Sequence, residues 1–193
     1  VTDPQPTAPT LALPVGALWQ TVAEIERHVA AAGWGAPVRL FALVRTAEAL
    51  SRDPFLAERL PADVVEAAER DPAHLTSVEQ EGLPAEQDLD DLLGQLAWGP
   101  GVDGAAVVVE RLLVPPDAAA DVRASHPADD EARVAALAAH PQAEDVRIAV
   151  GVLRDGRHEC VVRSRSKDRD IDVATGADLV PGLVAALQAT LTD

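Results

Sequence analysis

The residues that could carry chemistry are few, and they cluster late in the chain. Between Arg154 and Arg169 lie six of the 16 basic residues of a chain that has 32 Asp and Glu. The run Ser164-Arg165-Ser166-Lys167-Asp168-Arg169-Asp170 reads as a charged loop following a strand. Arginines gathered there suit a phosphate, a nucleotide or an acidic peptide, because the planar guanidinium forks onto carboxylate and phosphate oxygens. The segment lacks phosphate-cradling glycines, and Asp155, Glu159, Asp168, Asp170 and Asp172 dilute its charge. A solvated loop with local ion pairs is the competing reading. The candidate binding surface is Arg147, Arg163, Arg165, Lys167 and Arg169.

A second candidate is the turn Trp98-Gly99-Pro100-Gly101-Val102-Asp103-Gly104 together with Glu110, which interrupts the apolar run Ala105–Val114. The turn is not a P-loop, since it lacks the Gly-Lys-Ser or Gly-Lys-Thr ending. It precedes a strand rather than opening a helix, which disfavours a dinucleotide fingerprint. Trp98 is expected to anchor the entry to the strand, with a ligand contact at Trp98, Asp103 or Glu110 as the alternative. Glu110 reads as one half of an ion pair with Arg111 or an arginine on a neighbouring strand.

His158 and Cys160 stand two apart, but no second cysteine exists, and His28, His74, His126 and His140 are scattered. A metal centre needs more convergent ligands than this. Cysteine catalysis needs an exposed thiol of lowered pKa, and the hairpin register derived below buries Cys160. No catalytic residue, metal or cofactor is therefore assigned.

The elements that must position these groups follow from periodicity. Leu18, Val22, Ile25 and Val29 mark a helix over about Val15–Ala32, with Gly33 just past its end. A short strand is expected at Val38–Val44. Thr46–Arg70 is helical but punctuated, with Asp53-Pro54 as cap and first helical position, and Phe55, Leu56 and Leu60 on the buried side. His74–Gln80 fits a partly exposed strand. Pro84–Leu96 fits a helix with Leu89, Leu92, Leu93 and Leu96 inward. Ala105–Val114 reads as an interior strand apolar on both faces. His126–Ala139 fits a surface helix with Val134 and Leu137 inward, and Leu179–Leu191 a final helix capped by Asp178.

The hairpin within residues 145–165 permits a sharper statement. A two-residue Asp155-Gly156 turn would set Ile148 opposite Arg163 and mix core with charge. A three-residue loop, Arg154-Asp155-Gly156, instead pairs Val152 with His158, Val150 with Cys160 and Ile148 with Val162. Gly156 then takes the left-handed position of a bulged turn. Register follows the buried pattern, so Cys160 points to the core and Arg147 and Arg163 share the opposite face. On that face Ala149, Gly151 and Val161 form a low patch for a helix or a partner to cover.

Composition sets the outer bounds. The 193 residues are 48% hydrophobic, with a formal net charge of -16. Such acidity disfavours duplex nucleic acid, whose binders neutralise phosphates with clustered Lys and Arg, and an anionic membrane surface. One cysteine suits a reducing compartment. Val1–Pro14 shows no basic segment leading into an apolar run, and no stretch reaches the length of a membrane span. Together these point to a cytoplasmic protein. Pro4, Pro6, Pro9 and Pro14 suggest a flexible arm over residues 1–14, leaving 15–193 as a single compact domain. The expected fold is α+β, a mainly antiparallel sheet of about 4–5 strands with helices on one side.

The Trp98–Gly104 turn, the run Val107–Leu113 with Pro115-Pro116, and Gly151-Val152 through Asp155-Gly156 to Cys160-Val161-Val162-Arg163 resemble a family of conserved actinobacterial proteins of unknown function. The resemblance covers most of the chain beyond residue 14. It implies a cytoplasmic bacterial protein and supplies no activity, cofactor or functional residue. The function expected is a noncatalytic binding or regulatory protein, either homo-oligomeric or bound to a protein partner. The alternative is an enzyme holding a small molecule or nucleotide in an arginine-lined pocket.

Overall fold

The computed structural model describes residues 16–83, 88–126 and 129–192. The proposed arm over residues 1–14 and the start of the helix expected from Pro84 lie outside the described residues.

Among the described residues, strong β-formers build six strands: β1 (Arg39–Arg45), β2 (Leu75–Glu79), β3 (Gly104–Leu113), β4 (Glu144–Leu153), β5 (His158–Ser164) and β6 (Ala174–Thr175). They form one fully antiparallel sheet in the order β2-β1-β3-β4-β5-β6. Five of them fall where the sequence predicts strands. The sixth, β6, is two residues long, too short for any alternation to announce it.

The helices are α1 (Ala17–Ala30), α2 (Thr46–Arg52), α3 (Ala62–Arg70), α4 (Leu89–Gly94), α5 (Pro116–Ser125), α6 (Asp130–Ala138) and α7 (Pro181–Ala189). They cover both faces of the sheet, not one as expected. The cause lies in the central strands, where successive side chains alternate between faces and both sets are apolar. Ala105, Val107, Val109, Val146, Ile148, Val150, Val152 and Cys160 pack toward Leu92 and Leu93 of α4 and Leu187 of α7. Ala106, Val108, Ala149 and Val161 pack on the other face against Leu18, Val22, Ile25 and Val29 of α1. Gly151 lets α1 approach closely, since a Cβ there would overlap Val22 and stand 3.2 Å from Leu18 Cδ1.

The hairpin takes the expected register, with Val152 opposite His158, Val150 opposite Cys160 and Ile148 opposite Val162. Leu153 N–H donates to the Arg157 carbonyl at 2.8 Å and Gly156 N–H to the Leu153 carbonyl at 3.0 Å. Gly156 has φ of 87°, the left-handed conformation that the three-residue loop requires.

Other expectations need correction. Asp53 does cap the 3-10 turn Pro54–Glu58, accepting from Phe55 N–H at 3.1 Å. Phe55 itself is 73% exposed, because the 46–70 excursion packs chiefly on itself. Val134 is likewise 66% exposed on α6, which rests mainly against α5. Helix α5 begins at Pro116, with Pro115 before it, and its weakly amphipathic sequence gives no clear apolar stripe. Helix α7 begins after Val180 with no side-chain cap, so Asp178 does not cap it.

Candidate functional site

The site is built on the α1 face of the sheet, where the strand register lines up three charges in a row. Glu110 of β3 stands opposite Arg147 of β4, and Arg147 stands opposite Arg163 of β5. Like charges directly opposite across strands repel, so the two arginines need a counter-ion. Helix α1 supplies it. Glu26 lies four residues after Val22 and three before Val29, on the helix face that meets the sheet. Its Oε1 and Oε2 each accept from Arg163, from Nε and Nη2, at 2.7 Å. Oε1 also lies 3.6 Å from Arg147 Nη1. Glu26 is 1% exposed, Arg147 0% and Arg163 3%.

Neighbouring loops complete the network. Arg147 Nη2 donates to Glu110 Oε1 at 2.8 Å and to the Gly33 carbonyl. Glu110 Oε2 accepts from Gly35 N–H at 2.7 Å, so this carboxylate clamps the loop after α1. Between these glycines Trp34 lies over the Arg147 guanidinium at 4.4 Å, a cation–π contact. The Trp34 indole N–H donates to Asp168 Oδ2 at 2.9 Å. Arg163 also meets Asp170 Oδ1 at 2.7 Å and Asp168 Oδ1 at 3.4 Å. The Glu26 and Asp170 carboxylates raise the Arg163 pKa above its ordinary value.

Of the five candidate surface residues, Arg147 and Arg163 are thus buried, while Arg165, Lys167 and Arg169 are exposed. Arg165 pairs with Asp145 at 3.1 Å and Arg169 with Asp172 at 2.7 Å. The sequence reading missed Glu26 and Trp34. A carboxylate interrupting the apolar face of α1 was the available signal for the first. The two glycines flanking Trp34, both with positive φ, were the signal for the second.

The Trp98 turn is a separate locked unit. Trp98 indole N–H donates to Thr190 Oγ1 at 2.9 Å, and Arg154 donates to the carbonyls of Val102 at 2.8 Å and Trp98 at 2.9 Å. Asp103 accepts from Arg45 N–H at 2.7 Å and pairs with the Arg45 guanidinium at 3.6 Å. Trp98 and Asp103 are therefore engaged with Thr190, Arg154 and Arg45, and share no partner with Glu110 among the described residues.

Beside the buried pair opens a slot of about 330 Å³. Trp19, Ala23 and Arg27, spaced along one face of α1, form one wall. Val161 of β5 and Ile171 and Val173 beyond it form the other, with Glu26, Arg163 and Asp170 at its polar end. Ile171 is 85% exposed on the rim. The buried Trp19 indole N–H has no hydrogen-bond acceptor among the described residues. Arrangements of this kind, mostly apolar with a few convergent polar groups, suit small-molecule binding.

The model of the PPA1309-like protein family matches residues 18–192, from within α1 to past the end of α7. The chain belongs to that family. The match spans all the residues that line the slot, from Trp19 to Thr175. No curated protein and no solved structure matches the chain.

Among the described residues no group of three or more His, Cys, Asp and Glu side chains is arranged to hold a metal, and no helix is long and apolar enough to cross a membrane. Cys160 is fully buried and donates to the Ala177 carbonyl at 3.2 Å. Burial pushes its thiol pKa up, which withholds the reactive thiolate. An aromatic disulfide reagent at pH 8 is expected to leave the native protein unmodified and to titrate one thiol in 8 M urea. Stoichiometric reaction of the native protein within minutes would contradict the burial.

Proposed function

We propose that this chain is a noncatalytic binding protein of the actinobacterial cytoplasm, and that the slot between α1 and the β5–β6 side of the sheet is its binding site. The observation that carries the reading is the slot's composition: an apolar channel ending on an arginine, Arg163, that is already paired with carboxylates of the chain. Arg163 has its Nε and Nη2 taken by Glu26 and Asp170. Groups so satisfied hold shape and orient a ligand rather than transfer protons, because a general acid or base needs a pKa near the working pH and an open path to the substrate. The alternative, an enzyme with an arginine-lined pocket, has less support, since Arg147 and Arg163 both face carboxylates of the chain itself. Arg165, Lys167 and Arg169, exposed beside the slot, are the surface available to a protein partner or a second copy.

The test uses N-phenyl-1-naphthylamine, a neutral apolar fluorophore. Wild-type protein is expected to give a saturable, one-to-one fluorescence rise. Ala23→Phe fills the slot from the half-buried wall of α1, so it is expected to abolish the rise while leaving the urea midpoint unchanged. Equal binding by the folded Ala23→Phe variant would place the site elsewhere and overturn the reading.

A further inference from the structure

We infer that the slot selects a small amphipathic cation, an apolar body of roughly ten non-hydrogen atoms carrying a protonated amine. This rests on the slot being the binding site, as proposed above. The size follows from its volume of about 330 Å³, since bound ligands fill such pockets incompletely. The charge follows from the polar end. Glu26 and Asp170 line that end and meet the Arg163 guanidinium, which Asp168 faces from outside the lining.

Each nitrogen of Arg163 already faces one of these carboxylates: Nε and Nη2 face Glu26, Nη2 also faces Asp170, and Nη1 faces Asp168. Its forked edge is therefore closed to an incoming anion, which would have to displace a carboxylate of the chain. Asp170, by contrast, is 72% exposed and uses only Oδ1 toward Arg163. No hydrogen bond reaches its Oδ2 among the described residues, so one carboxylate oxygen at the mouth remains to accept from an ammonium group. Trp19 on the facing wall offers an aromatic surface of the kind that attracts cations. Arg27 also lines the slot, but it is solvent-exposed in the last turn of α1. The wider field has the same sign, because a formal net charge of -16 draws cations and repels anions at the mouth.

The experiment displaces N-phenyl-1-naphthylamine from the wild-type slot with octylamine, 1-octanol and octanoate at pH 7.5. These probes share a tail and differ in head charge. Octylamine is expected to displace at a concentration at least tenfold lower than octanol, with octanoate weaker than either. Asp170→Asn, at an exposed position, is expected to keep the wild-type urea midpoint and to bring octylamine and octanol within about threefold. Octanoate equal to or stronger than octylamine would overturn the cation assignment while leaving the slot as a binding site. An unchanged amine preference in Asp170→Asn would overturn it as well. Failure of the fluorophore itself to bind wild-type protein, or its binding to Ala23→Phe, would instead remove the site on which the inference rests.

Discussion

Glu26→Ala is expected to destabilise the fold by about 3–5 kcal/mol, the cost of stranding a buried charge whose partner has been removed. Without the carboxylate, Arg163 loses two hydrogen bonds of 2.7 Å and Arg147 loses its contact at 3.6 Å. Both guanidiniums then face each other across β4 and β5 with only the outer carboxylates to balance them. Glu26→Gln retains the shape and one acceptor oxygen, so it should lose less, roughly 1.5–3 kcal/mol, the range for a hydrogen bond to a charged group. The decisive comparison is the double variant Glu26→Leu with Arg163→Met, which removes both buried partners and substitutes apolar volume. Replacing a whole buried pair is often close to neutral, so the double variant should be more stable than Glu26→Ala alone. Urea denaturation of the variants measures this, urea being uncharged and leaving the ion pairs unscreened. A Glu26→Ala loss below about 1 kcal/mol would mean that the network behaves as a surface salt bridge.

The second large effect is expected at Gly104, the first residue of β3. A Cβ there would overlap the Val152 carbonyl oxygen and stand 2.6 Å from Leu153 Cδ2 and 3.2 Å from Leu153 Cα. The obstacle is mostly backbone of the paired strand β4, which cannot rotate aside as a side chain can. Gly104 lies between Leu43 of β1 and Leu153 of β4, so any shift must be absorbed by two ladders at once. Gly104→Ala should cost about 2–3 kcal/mol, toward the upper end of overpacking penalties. Gly99→Ala, five residues earlier in the same turn, is the control. Among the described residues nothing lies within 4 Å of its added Cβ, and its φ is not positive, so a change within about 0.5 kcal/mol is expected. Equal losses at the two positions would point to general stiffening of the turn rather than to strand contact.

Much of this architecture was legible in the sequence, for reasons that differ from element to element. The β4–β5 hairpin was readable to the residue because a one-residue slip would move every side chain to the other face, and only one register kept Ile148, Val150 and Cys160 together. Helix α1 was readable from Leu18, Val22, Ile25 and Val29. By contrast, Phe55 and Val134 sit on segments that contact mainly themselves, so their apolar character had no core to enter. Helix α5 and strand β6 lack the periodic contrast that distinguishes an element from its surroundings.

The candidate site divides along the same line. The sequence by itself determined that Arg147 and Arg163 share one face of a hairpin, that Cys160 turns away from them, and that Glu110 breaks an apolar strand and wants a cationic partner. Only the tertiary structure decided that the face is covered by α1, that Glu26 enters between the arginines, and that Trp34 closes over Arg147. The physical reason is separation along the chain. Alternation is a local property, fixed by neighbouring residues, whereas the counter-ion for Arg163 comes from a position 137 residues away. No spacing rule links two such positions. The docking of a helix on the sheet brings them together, and it converts what read as an open patch of positive charge into a neutralised floor beside an apolar slot.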